Sequence, residues 1–265
     1  MNKYFTLAVA ISICVFSLGC GANSREKIDF AGMDKRSINA VETSIINKSA
    51  YDDYFLADEL LLKAKLEKNK NTANEIYSSA MQSIHRATIK APDSACFAFK
   101  ASQIYRGRGA VAKAKEHFAR SEELIRKRLA VEPKNAALHL YYAIMCYSGD
   151  GRFGNSKYDY DVKAKLHALE VLNIYNYRND EKKLGGKELS ELAMAQLVLG
   201  EADKCEEYLK LAQQTENGSH ASVIDVYKDF FNRYVRTETW LWPTSVDGAK
   251  REYLAFVADD FGLNF

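Results

Sequence analysis

Between Lys187 and Asn217 apolar and polar residues recur with the period of a helix, and the rhythm is reset once, at Gly200. Leu189, Leu192, Ala193 and Gln196 share one face of a first predicted helix. In a second, Cys205, Leu209 and Ala212 recur at i, i+4, i+7, a small–large–small stripe that lets two helices approach closely. Glycine between them suits a tight turn, because such a turn needs a residue free to take positive φ. The stretch therefore predicts a helical hairpin.

Weaker copies lie upstream. Helices are predicted over Asp34–Asn47 and Tyr51–Lys68, the second with Tyr54, Phe55, Ala57, Leu61, Leu62 and Ala64 on its apolar side. Thr72–Lys90 carries Ala80, Ile84 and Ala87 at i, i+4, i+7 and is stopped by Pro92. Asp93 and Ser94 are suited to cap the next helix, which ends near Arg106. Its Ala98, Ala101, Ser102 and Tyr105 repeat the 3-1-3 spacing of the opening helix. After the turn Gly107-Arg108-Gly109, Ala114, Phe118 and Ser121 form a second stripe on a helix running towards Pro133. His139, Tyr142, Ala143 and Cys146 give the 3-1-3 pattern again, and Ala164, Ala168 and Val171 the stripe that answers it.

Small residues at helix contacts, a Gly-containing turn, a proline at the exit and the 34-residue offset from Ala80 to Ala114 resemble the tetratricopeptide repeat family, whose helix–turn–helix unit is about 34 residues. The resemblance covers roughly residues 51–217. It implies an all-α fold, a right-handed solenoid of about four to five antiparallel hairpins over residues 34–217, with residues 218–265 as capping helices that cover the last apolar face. In that closing part Val223, Val226, Tyr227, Phe230 and Tyr234 share a helical side, and Trp240 and Trp242 sit in a non-helical segment.

The first twenty residues carry an address. Lys3 precedes an apolar run from Phe5 to Leu18, too short to span a bilayer comfortably and without a basic stop-transfer flank. Its end, Phe16-Ser17-Leu18-Gly19-Cys20, resembles a bacterial lipobox, although Ser17 stands where Leu is usual. The resemblance implies a signal peptide over residues 1–19, diacylglycerol on the Cys20 thiol, and a tether over residues 20–33. Each buried lipid methylene contributes about 0.8 kcal/mol to such an anchor. Gly21 after the cysteine points to the outer membrane facing the periplasm in a Gram-negative cell, and to the outer face of the plasma membrane in a Gram-positive one. An ordinary secretory signal or an uncleaved anchor is the competing reading.

A net charge of +2, one unit of it from Lys3, gives no reason to expect nucleic acid. Cys96, Cys146 and Cys205 remain in the body, far apart and odd in number, and read as buried free thiols. The loop from Gly149 to Lys157 has Asn155 where a phosphate loop needs lysine, and its acids do not follow calcium-loop spacing. The five histidines form no HExxH and no pair at metal spacing, and His139 on an apolar face reads as a satisfied core histidine. Glu122-Glu123 and Glu206-Glu207 read as solvated helix exteriors. No nucleophile motif occurs, so neither enzyme activity nor a cofactor is expected.

The family resemblance implies binding of an envelope protein or peptide partner. Tyr105, His139, Tyr142 and Gln196, or neighbours facing away from the seam, are the candidate contacts. The alternative is a small-ligand receptor, since some envelope lipoproteins with such repeats resemble accessory subunits of solute transporters, the T-component of TRAP systems being one. A closed aromatic pocket would favour the receptor, and an open polar groove the partner-binding scaffold.

Overall fold

The computed structural model describes residues 35–149, 157–178 and 184–215, with the helical positions 224, 225, 227, 228, 231, 232, 250, 251, 253 and 254. The predicted signal, the tether, both tryptophans and most of the 149–157 loop lie outside the described residues. The described residues are all-α. Eight helices follow in order: α1 (Lys35–Leu66), α2 (Lys70–Lys90), α3 (Ala95–Gly107), α4 (Val111–Val131), α5 (Ala136–Gly149), α6 (Lys157–Arg178), α7 (Gly186–Leu199) and α8 (Ala202–Thr215). None of them is long and apolar enough to cross a membrane. Consecutive helices pack in pairs, and the chain divides into two compact units at Pro92.

The first unit contains α1 and α2. One continuous helix runs where two were predicted, because Asn47-Lys48-Ser49-Ala50 contains neither Gly nor Pro to end it. Ala50, Tyr54, Ala57, Leu61 and Ala64 form its buried stripe, spaced alternately by four and three residues. Tyr77, Ala80, Ile84 and Ala87 form the answering stripe of α2. A seam between only two helices is narrow. Leu62, predicted on the apolar side, therefore falls outside it and is exposed, and Phe55 is half-buried. Asn69 caps α2, its Oδ1 accepting from the backbone N–H groups of Asn71 and Thr72. At the far end Asp53 accepts from Arg86 Nε at 2.8 Å and Lys90 Nζ at 2.5 Å, and Lys90 also donates to Ser49 Oγ at 2.7 Å.

The second unit contains α3–α8 and the described positions after them. Every small–large–small residue predicted here is buried: Ala114, Phe118 and Ser121 on α4, Ala164, Ala168 and Val171 on α6, Cys205, Leu209 and Ala212 on α8. Ser121 Oγ donates to Ala95 O at 2.7 Å, tying α4 to the start of α3. Ser94 does stand at the N-cap of α3, but its side chain makes no capping bond there; its Oγ lies 3.0 Å from Cys96 Sγ instead. Gly200 takes φ +93° and Gly109 φ +83°, the left-handed backbone that each turn requires.

Residues 96–104 of α3, 138–148 of α5 and 189–198 of α7 are buried without interruption. A helix apolar on all sides is a core helix. α5 packs against α4, α6 and α7, and Phe99 of α3 meets Tyr141 edge to face at 6.2 Å. Ile224, Tyr227, Phe231, Tyr253 and Leu254 are buried as well. Of the five closing-helix residues predicted to share a face, Tyr227 is the one among the described residues, and it is buried. Lys228 Nζ donates to Gln213 Oε1 on α8 at 2.7 Å. Arg251 reaches the last turn of α5, donating to Tyr147 O at 2.7 Å with its guanidinium 4.8 Å from the centre of the Tyr147 ring. A cation at a helix C-terminus is favoured by the carbonyls that point towards it.

Candidate functional site

Pro133 cannot continue α4, and the chain turns there into α5. Asn135 builds the turn. Its Nδ2 donates to Glu132 Oε2 at 2.7 Å, its backbone N–H to Glu132 O at 3.2 Å, and its Oδ1 accepts from Leu138 N at 3.1 Å. That last bond is an N-cap for α5. Opposite lies the first turn of α7, where Glu188 Oε2 folds back to accept from Gly185 N at 2.7 Å. Tyr175 of α6 lies between, its hydroxyl donating a short hydrogen bond to the buried carboxylate of Glu191.

These elements enclose an open groove of about 670 Å³ lined by Glu132, Lys134, Asn135, Tyr175, Lys187 and Glu191, among others. Three carboxylates and two ammonium groups place both signs of charge on its walls. Small-molecule pockets are mostly apolar and enclosed. This groove is open, and its charged groups stand among apolar wall surface.

Behind the turn lies a buried polar cluster held by three helices. Glu122 of α4, only 8% exposed, accepts at one oxygen from Tyr142 Oη of α5 and Lys163 Nζ of α6, each at 2.7 Å. Burial opposes ionisation of Glu122, but the hydrogen bonds from Lys163 and Tyr142 outweigh it and hold the carboxyl below the usual carboxylate range. Burial raises the Tyr142 hydroxyl and the Cys146 thiol well above their ordinary values, and the negative charge of Glu122 adds to both shifts. His139 of α5 is bonded at both nitrogens, through Nε2 to Pro133 O at 3.0 Å and through Nδ1 to His167 Nδ1 of α6 at 2.8 Å. The His167 ring lies 4.3 Å from that of Tyr142. Burial, reinforced by His139, pushes His167 down to about 4.

Of the four candidate contacts, His139 and Tyr142 are brought together by His167. Tyr105 is half-buried at the end of α3, stacked on His117 at 4.9 Å with the Lys113 ammonium 5.5 Å from its centre. Gln196 is buried on α7, its carbonyl accepting from Glu201 N at 2.9 Å. Neither Tyr105 nor Gln196 joins the cluster, and none of the four is among the residues lining the groove. The reading of Glu122 as solvated is overturned. It faces α5 and α6, whereas its neighbour Glu123 is partly exposed and paired with Lys127 and Arg120. The spacing of Phe118, Ser121 and Ile125 around Glu122 placed it beside the buried stripe, a signal available in the sequence. The His139–His167 contact bridges 28 residues and had no such signal.

Cys96, Cys146 and Cys205 form no disulfide with one another and are buried. Among the described residues no group of three or more His, Cys, Asp or Glu is placed to hold a metal ion. Comparison with protein-family models, with curated proteins and with solved structures finds no match.

Proposed function

We propose that this chain is a cell-envelope lipoprotein, anchored through Cys20, whose helix pairs form a right-handed tetratricopeptide-like solenoid that receives a protein or peptide partner. The groove between the α4–α5 turn and the first turn of α7 is the surface we assign to that partner. One observation carries the reading: the groove is open, with carboxylates and ammonium groups side by side on its walls. Such a wall offers charge-assisted hydrogen bonds to a peptide backbone and to side chains of either sign. The reading is one of binding rather than catalysis, and it involves no nucleic acid.

The test is site-specific crosslinking in cells. A photoreactive residue at Lys187 should yield one discrete protein adduct in the membrane fraction, whereas the same residue at Lys127, exposed on α4 away from the groove, should not. Cys20→Ser should abolish acyl labelling and release the protein from membranes. Equal adducts from both positions would remove the groove from the reading. A small molecule retained by the purified protein, with no adduct at Lys187, would support the receptor of the transporter-accessory type instead.

A further inference from the structure

We propose that the His139–His167 pair makes the groove acid-responsive: protonation of both imidazoles breaks their mutual hydrogen bond and frees the Pro133 turn that forms one wall. The proposal rests on the groove reading above and concerns how that site is regulated.

The proton inventory follows from the partners. Pro133 O only accepts, so His139 Nε2 carries a hydrogen. A neutral His139 then presents a bare Nδ1, and the hydrogen in the 2.8 Å contact belongs to His167 Nδ1, which leaves His167 Nε2 bare. A first proton enters at His167 Nε2 and leaves both hydrogen bonds intact, because an imidazolium donates to an imidazole as well as its neutral form does. A second proton has one place to go, His139 Nδ1. Two N–H groups and two positive charges then meet across a contact that held one hydrogen, and the rings must part. The two steps belong to the pair rather than to either ring.

The charges around the pair favour that outcome. On α6, Lys163 one turn before His167 opposes a further positive charge, and Glu170 one turn after it is the counter-charge that acts on it. On α5 the pair faces the Tyr142 ring, with Cys146 a turn beyond it. On α4, Glu122 is already engaged by Tyr142 and Lys163, with Arg126 close to it. On the turn, Glu132 bonds Asn135, and Lys134 lies beside it. On α7, Glu188 is bonded to Gly185 N and Glu191 to Tyr175. Arg251 meets α5 at Tyr147, two helical turns beyond His139. Among these described groups, Glu170 is the carboxylate whose charge acts on His167, so the doubly protonated pair lacks sufficient compensation.

His139 is the link to the groove. Its bond to Pro133 O holds the turn whose Glu132, Lys134 and Asn135 line the wall. When His139 swings away, the turn loses that anchor.

The experiment follows histidine ring nitrogens and the backbone amides of Lys134, Asn135 and Ala136 by nitrogen-15 NMR, from about pH 8 to about pH 3. It uses the full-length acylated protein in detergent, with no partner added. The turn amides should stay still through the first ring protonation and move with the second, the one that puts a hydrogen on His139 Nδ1. In His167→Gln the side-chain amide can still donate to His139 Nδ1 but does not titrate. There the turn shift should fall to less than half its amplitude. Ring titration with static turn amides, or an undiminished turn shift in His167→Gln, overturns the proposal. If that variant loses its helical circular dichroism, the comparison of ring and turn midpoints in the unaltered protein decides. Failure here leaves the crosslink at Lys187 standing, and absence of that crosslink leaves the coupling between pair and turn standing.

Discussion

The hydroxyl of Tyr142 and the carboxylate of Glu122 offer the sharpest energetic test of the second unit. Their hydrogen bond is 2.7 Å long, both residues are less than a tenth exposed, and the acceptor is ionised. A hydrogen bond to a charged group contributes about 1.5–3 kcal/mol. Tyr142→Phe removes the donor but leaves Lys163 on the same oxygen, so the loss should sit at the lower end, about 1–2 kcal/mol. Glu122→Ala does more: it leaves the buried hydroxyl without this acceptor and opens space between α4 and α5, for about 2–4 kcal/mol. In the double variant the orphaned hydroxyl is gone, and the combined loss should fall short of the sum by about 1–2 kcal/mol. Urea unfolding followed by circular dichroism measures all three, with unchanged m-values as the check that one transition is compared. Additivity within about 0.5 kcal/mol would refute the bond, because two residues that share no interaction add.

Gly200→Ala should cost about 1–2 kcal/mol from the left-handed backbone alone, since a Cβ at that position meets nothing within 4 Å. Gly109→Ala should behave alike, and unchanged thermal unfolding in both would contradict the turn geometry. Asp53→Ala should weaken the first unit by about 1 kcal/mol, a figure kept small because Arg86 and Lys90 are partly solvated. Burial opposes ionisation of Asp53, but bonds from Lys90 and Arg86 outweigh it and lower its carboxyl. Its contribution is therefore present above the ordinary Asp range and lost as pH falls below it; an acid-unfolding curve identical to that of Asp53→Ala would count against the triad. His167, held down to about 4 in the fold, adds a second loss as pH falls from its ordinary value of 6.5 to about 4, where the unfolded chain binds the extra proton. His167→Gln should flatten the stability curve across that window. Mass mapping of alkylated peptides at mildly alkaline pH should find Cys96, Cys146 and Cys205 unmodified until denaturant is added, since all three are buried and burial raises the Cys146 thiol.

Periodicity alone determined most of the described helices and the stripes that pack within each pair. The stripes Ala80-Ile84-Ala87, Ala114-Phe118-Ser121 and Cys205-Leu209-Ala212 are legible because a helix repeats its face every three or four residues, so neighbours on that face are close in sequence. Gly200 was legible for a similar reason, since a single backbone angle chooses the residue. The same local rules missed Asn69 and Asn135, two caps whose side-chain bonds reach only two or three residues ahead. They also broke α1 where no breaker stands.

What only the tertiary structure decided is which polar residues leave water. Glu122 and Glu123 are adjacent and chemically identical, yet a rotation of about 100° between successive helical positions sends one into a three-helix junction and the other to the surface. The histidine pair, the Glu122 cluster and the groove are each built from helices that meet only after the chain has folded back on itself. Contacts within one helix follow from its period. Contacts between helices depend on crossing geometry and loop length, which no local pattern encodes.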